Sequence, residues 1–118
     1  MQLGQVYQPP GGLWLATDPN GERLGCVGLK AMIGEDGARS GELRRLFVRP
    51  DGRSSGLGRA LTLIAIRHGD TEGLDRLVLN TLATMTEAIA LYAALGFVEI
   101  EPYVAEPLDG TRYFGRSR

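Results

Sequence analysis

The residues best suited to chemistry in this 118-residue chain stand in one run, Arg53-Ser54-Ser55-Gly56-Leu57-Gly58-Arg59. Gly56 and Gly58 carry no Cβ, so a bulky anion can approach the main chain closely there. From Leu57 onward the apolar residues Leu57, Ala60, Leu61, Ile64 and Ala65 fall at the spacing of one helix face. A helix that opens directly out of a Ser/Gly loop offers backbone N–H groups without intrahelical partners, together with a partial positive charge. Both features suit a phosphate or a pyrophosphate. Arg53 and Arg59 flank the loop and can pair with the same anion. Two well-known phosphate loops are excluded. No Lys-Ser/Thr pair follows the glycines, as a Walker A loop needs, and the third glycine of a dinucleotide-binding triplet is replaced at about Thr62.

The elements that must hold this run can be read on either side of it. Upstream, the stretch from Glu42 to Val48 has the apolar and aromatic content of a central strand. Pro50 cannot donate a ladder hydrogen bond and stops it, and Asp51-Gly52 turns the chain. Before it, Leu13–Thr17 and Leu24–Leu29 read as two strands joined through the strong turn Asp18-Pro19-Asn20-Gly21. Gly34-Glu35-Asp36-Gly37 is the next turn. Downstream, a helix from Leu57 to about His68 is followed by a strand at Leu77–Thr81. A second helix runs from about Met85 to Leu95, opened by a capping box of Thr84 with Glu87 and closed by Gly96 in a left-handed conformation. Phe97–Ile100 and Tyr113-Phe114 complete the strands. Antiparallel strands followed by strand-helix-strand-helix-strand make a mixed α/β sheet.

Composition and charge narrow the class. The chain is 43% hydrophobic and 23% charged, as a globular protein is, and its length fits one domain over residues 1–118. A net charge of −1 lacks the basic footprint of a general nucleic-acid-binding surface. No apolar run reaches the ~20 residues needed to cross a bilayer. The start, Met1-Gln2-Leu3-Gly4-Gln5, has neither the basic nor the apolar region of a secretory leader. The single cysteine, Cys26, has no second cysteine to bridge with, which fits a reducing cytoplasm. No His/Cys/Asp cluster has metal-ligand spacing, so no metal is expected. His68, in the last turn of its helix, is expected to bond the helix's own terminal carbonyls.

Arg53-Ser54-Ser55-Gly56-Leu57-Gly58, following a strand that ends Val48-Arg49-Pro50, resembles the R/Q-x-x-G-x-G/A signature of the GNAT superfamily of acetyl-coenzyme A-dependent N-acetyltransferases. Ala88-Ile89-Ala90-Leu91-Tyr92-Ala93-Ala94-Leu95-Gly96-Phe97 resembles that family's A-x-x-L-Y-x-x-L-G-F. The two motifs stand in the family's order, and the resemblance runs from about Gly11 to the end. It implies a mixed, mostly antiparallel sheet with flanking helices, acetyl-coenzyme A as co-substrate and no metal. It also implies that the backbone from Arg53 through Ser54, Ser55, Gly56, Leu57 and Gly58 to Arg59 holds the pyrophosphate. Main-chain N–H groups near Leu46, Phe47 and Val48 are implied as donors to the thioester carbonyl. The coenzyme arm would lie between this strand and Leu79-Asn80-Thr81, with Asn80 as a polar contact. Tyr92 is implied as the general acid that returns a proton to the leaving sulfur, and Glu42 as the general base. Strand alternation places Glu42, Arg44, Leu46 and Val48 on one face, which lets the carboxylate share the thioester's side of the sheet. Pairing of Glu42 with Arg44 or Arg45 is its ordinary alternative. One position departs from the family pattern: many members carry asparagine seven residues before the tyrosine, where this chain has Met85.

Members of that family usually begin with a strand and one or two helices that help to wall the acceptor site. Here about a dozen irregular residues precede the hairpin, and Tyr7–Gly12 resembles the segment that follows those helices. The expectation is an N-terminally truncated member or a fragment. Two readings follow. One is an N-acetyltransferase acting on a primary amine of a small molecule or peptide. The other is a non-catalytic acyl-coenzyme A-binding or oligomerising domain. The edge left at the first strand suits pairing with a second copy, a homodimer.

Overall fold

The computed structural model describes residues 10–34, 36–50 and 56–118. The lead-in before Pro10 and the loop residues Arg53, Ser54 and Ser55 lie outside them, as does the side chain of Arg45. Three antiparallel strands come first: β1 (Gly12–Thr17), β2 (Arg23–Ile33) and β3 (Arg39–Val48). The β1–β2 turn is set by Asp18, whose Oδ1 accepts the N–H groups of Asn20 at 2.8 Å and Glu22 at 2.9 Å, an aspartate bonding its own main chain. Next come α1 (Leu57–Thr71), β4 (Arg76–Leu82), α2 (Thr86–Ala94), β5 (Val98–Glu99) and β6 (Thr111–Ser117). The strand order is β1-β2-β3-β4-β6-β5, and only β3–β4 is parallel. This is the mixed, mostly antiparallel sheet expected, with β1 at one edge. Neither helix is long and apolar enough to cross a membrane.

The core lies between the sheet and the helices. Val27 and Leu29 of β2, Leu43 of β3, Leu77 and Leu79 of β4 and Phe114 of β6 pack with Leu61, Ala65 and Ile66 of α1. Burying each of the larger side chains among them contributes about 1.5–3 kcal/mol. The buried stripe of α1 is rotated from the one the apolar spacing suggests: Leu61, Thr62, Ala65, Ile66 and Gly69 face inward, while Ala60 and Ile64 are exposed. Thr62 can point into an apolar core because its Oγ1 donates to the Gly58 carbonyl one turn back, at 2.8 Å, which satisfies the hydroxyl. His68 also differs from expectation. Its Nε2 meets the Pro10 carbonyl at 2.9 Å and its ring packs edge-on to Trp14, so it ties α1 to the start of β1 and not to its own helix end.

Two local features bear on the site. Cys26 pairs with Phe47, but Gly28 pairs with Arg44, so Arg45 and Leu46 together stand opposite Val27. This is a β-bulge, and a bulge flips the side-chain parity beyond it. Glu42 and Arg44 therefore share one face, whereas Leu46 and Val48 turn to the other and pack against the core; the single face that plain alternation assigns to all four is corrected. The capping box is corrected as well. The residue before α2 is Met85, with no side-chain cap, and this shifts Thr84 outside the cap position and Glu87 one place too early to reach back.

Candidate functional site

β3 and β4 pair only from Ser40 with Arg76 to Glu42 with Val78. Both strands run on, but no shared ladder follows. β3 stays with β2 as far as Val48, bent by the bulge, and β4 stays with β6 as far as Leu82. The parting opens a cleft of about 700 Å³ lined by Glu42, Arg44, Leu46, Asn80, Tyr92 and Tyr103 among others. Four residues singled out in the sequence, Glu42, Leu46, Asn80 and Tyr92, thus meet around one opening. Phe47 does not line it and is half exposed, and the Val48 side chain packs against the core. A slot between two parted strands suits an extended ligand whose amides add to a strand edge.

Tyr92 reaches this cleft from the end of α2, and the way that helix stops places it. Gly96 adopts φ 94°, a left-handed conformation that favours glycine. The Phe97 N–H donates to the Tyr92 carbonyl at 3.0 Å and the Gly96 N–H to Ala93 at 3.1 Å. Those two bonds make a Schellman motif, which commonly brings together the side chains at its two ends. Here they are Tyr92 and Phe97, packed edge to face with centroids 5.8 Å apart. Leu95-Gly96-Phe97 is therefore the local device that fixes the tyrosine. Tyr92 is 7% exposed. No buried side-chain oxygen among the described residues lacks a hydrogen-bond partner, yet none of them bonds the Tyr92 hydroxyl, so that oxygen opens onto the cleft. Burial pushes its pKa up, which keeps the phenol protonated at neutral pH.

Glu42 sits across the opening, nearly buried. Its Oε2 accepts the Tyr103 hydroxyl at 2.7 Å, and its Oε1 takes Arg44 Nε at 3.0 Å. Asn80 Nδ2 donates to the same Tyr103 oxygen at 3.2 Å. Burial first, and the bond to Glu42 second, drive the Tyr103 pKa well above its ordinary value, so Tyr103 remains the donor in this pair. Tyr103 was not visible in the sequence. It lies in the irregular stretch between β5 and β6, after Pro102, with neither a period nor a motif to mark it. Tyr103→Phe is expected to cost about 1–2 kcal/mol, because a buried carboxylate loses one of its two donors. Urea unfolding of the two proteins checks this; equal midpoints with equal slopes would show that the bond contributes nothing.

The anion loop is described only from Gly56 onward. Gly56 adopts φ 80° and caps α1, its carbonyl accepting the Ala60 N–H at 3.0 Å. A Cβ placed there meets nothing within 4 Å among the described residues. Among the described residues no side chain caps α1, and its first turn carries no acidic residue, a setting that suits an anion. Arg44 of β3 pairs with Glu42, and Arg49, just past its end, with Glu22.

A family model described as "Acetyltransferase (GNAT) family" matches residues 2–97. Among curated proteins, an uncharacterized N-acetyltransferase of Schizosaccharomyces pombe is 37% identical over 108 residues, 91% of this chain and 64% of that protein. A mycothiol acetyltransferase of Arthrobacter sp. is 40% identical over 97 residues, 81% of this chain and 30% of that protein. The chain thus spans less than two thirds of either relative's length. Among solved structures, an acetyltransferase of GNAT family from Staphylococcus aureus superposes with a TM-score of 0.81 at 24% identity, over 98% of this chain and 73% of that one. A chain of the NatC complex bound to Gag peptide and CoA gives a TM-score of 0.79 at 23% identity, over 90% and 70%. These two likenesses are of fold.

Proposed function

The chain belongs to the acetyltransferase (GNAT) family, and on that premise we propose that it moves an acetyl group from acetyl-coenzyme A to the primary amine of a small molecule or peptide by direct transfer. The observation that carries this reading is the parting of β3 from β4 with the Tyr92 hydroxyl turned into the gap. When bound, acetyl-coenzyme A supplies an acetyl group activated as a thioester. The slot between β3 and β4 holds its extended arm, and the amides that open α1, with Arg59 and the loop through Arg53, hold its pyrophosphate. Main-chain donors near Leu46, Phe47 and Val48 stabilise the carbonyl oxygen as it gains charge. Glu42, directly or through water, takes the proton that the acceptor ammonium must lose before its nitrogen attacks. A carbon–nitrogen bond forms as the carbon–sulfur bond breaks, the Tyr92 hydroxyl gives its proton to the departing sulfur, and the second proton the nitrogen sheds on becoming an amide passes through water to restore the tyrosine. Holding the two reactants together in this cleft supplies much of the rate.

The setting proposed is the cytoplasm, in keeping with the lone Cys26. The edge of the sheet at β1 is the surface on which a second copy would pair.

Two measurements test the reading in sequence. Coenzyme A at a hundred times its dissociation constant is expected to stabilise the fold by about 2.7 kcal/mol, read from melting. Thiol release from acetyl-coenzyme A is then followed against a panel of amines. No stabilisation at saturating coenzyme rejects the coenzyme site altogether. Stabilisation without thiol release assigns an acyl-coenzyme A-binding domain that does not catalyse.

A further inference from the structure

The charges around the cleft select among amines, and the inference drawn from them rests on the transferase reading above. Among the described lining residues only Glu42 and Arg44 are charged, and they form one ion pair at 3.0 Å. The two partners are not equally engaged. The Glu42 side chain is 11% exposed, with Tyr103 on one oxygen and Arg44 on the other. The Arg44 side chain is 42% exposed and meets Glu42 through its Nε. A guanidinium has five N–H donors, more than one contact with Glu42 uses, and this exposed one lines the cleft. Its donors form the flat fork that receives a carboxylate through two parallel bonds.

A cleft that presents a carboxylate and a guanidinium side by side is the mirror image of a ligand that carries an ammonium and a carboxylate side by side. Such a ligand lays its ammonium toward Glu42 and its carboxylate on the outer edge of Arg44. A diamine lays a second positive charge against Arg44 and is repelled. An amide or an amine without the carboxylate leaves the fork to water. The rest of the lining is mixed, with Met32, Met85 and Val104 apolar and Asn80, Thr81 and Tyr103 polar, and the two methionines adapt to side chains of different shape. We propose that the acceptor is a free α-amino acid, its ammonium received by Glu42 and its carboxylate by Arg44.

The test compares kcat/KM for thiol release with L-methionine, L-methioninamide and 1,4-diaminobutane. Methionine is expected to be used about 10- to 100-fold better than either of the others, the range for a charge-assisted pair at a partly open site. In Arg44→Gln the ratio of methionine to methioninamide is expected to fall to near one, and Arg44→Lys is expected to keep part of it. Because the readout is a ratio between two acceptors, general damage to the Glu42 pairing cancels. Coenzyme A-linked melting of each variant shows that it is folded, and the wild-type ratio stands by itself if one is not. A wild-type protein that uses the amide or the diamine as well as methionine overturns the proposal and leaves the transferase intact. So does a ratio unchanged in Arg44→Gln. Thiol release with none of the three also overturns it, and the wider amine panel then decides the transferase reading.

Discussion

Tyr92→Phe is expected to lower turnover about 10²- to 10³-fold, within the range for losing a positioned proton donor, while acetyl-coenzyme A binding changes little. The substitution keeps the ring that packs against Phe97 and removes only an oxygen that, among the described residues, bonds to none of its neighbours. A purely structural tyrosine would behave in the opposite way, giving an effect on stability and none on the chemical step. The phenol is suited to the role because burial holds its pKa above the ordinary value, so its proton is present at neutral pH when the thiolate departs. Single-turnover acetyl transfer separates the chemical step from binding, and urea unfolding measures the fold. Turnover within about threefold of wild type would remove Tyr92 from the reaction, since a general acid contributes far more than that.

Gly56→Glu is expected to weaken coenzyme A binding by about 10²-fold or more. Two phosphates near a new carboxylate repel it by several kcal/mol at the dielectric of a protein surface, and little of that is relieved within a Debye length. A side chain there meets no described residue. Gly56 does sit at φ 80°, where any side chain is strained by ~1 kcal/mol or more. Gly56→Ala carries that strain without the charge and is the proper reference. Calorimetric titration with coenzyme A, at low and high salt, reads the difference between the two variants. If Ala and Glu bind alike, the main chain around Gly56 is not the anion site, and the assignment of the donor loses its anchor.

Much of the sheet was readable in advance because its signals are local. Turn residues such as Asp18 and Gly21 bracket β1 and β2, and Gly96 marks where α2 must stop. The strands at residues 39–48 and 76–82 exceed the expected spans at both ends or one, since pairing with neighbours extends a strand beyond its own propensity. The buried stripe of α1 departs from the apolar spacing for a related reason. Thr62 is polar in composition yet inward-facing once its hydroxyl bonds within the helix, while Ile64 is apolar yet left outside. The candidate residues were identified by two short motifs and by strand position. How they relate in space was a separate matter.

Taken alone, the sequence determined what depends on near neighbours: a glycine-flanked helix start at Gly56, a tyrosine one turn before a glycine stop, and the succession of strands and helices. Tertiary structure decided three things. It set the bulge opposite Val27, which sends Leu46 and Glu42 to opposite faces. It set the point, after Glu42 and Val78, where β3 and β4 part. It brought Tyr103 to Glu42 across 61 residues and to Asn80 across 23. The reason is physical: a hairpin turn or a helix stop is fixed by torsions within a few residues, whereas a hydrogen bond between distant side chains forms only after the sheet register is complete, and it leaves no periodic trace along the chain.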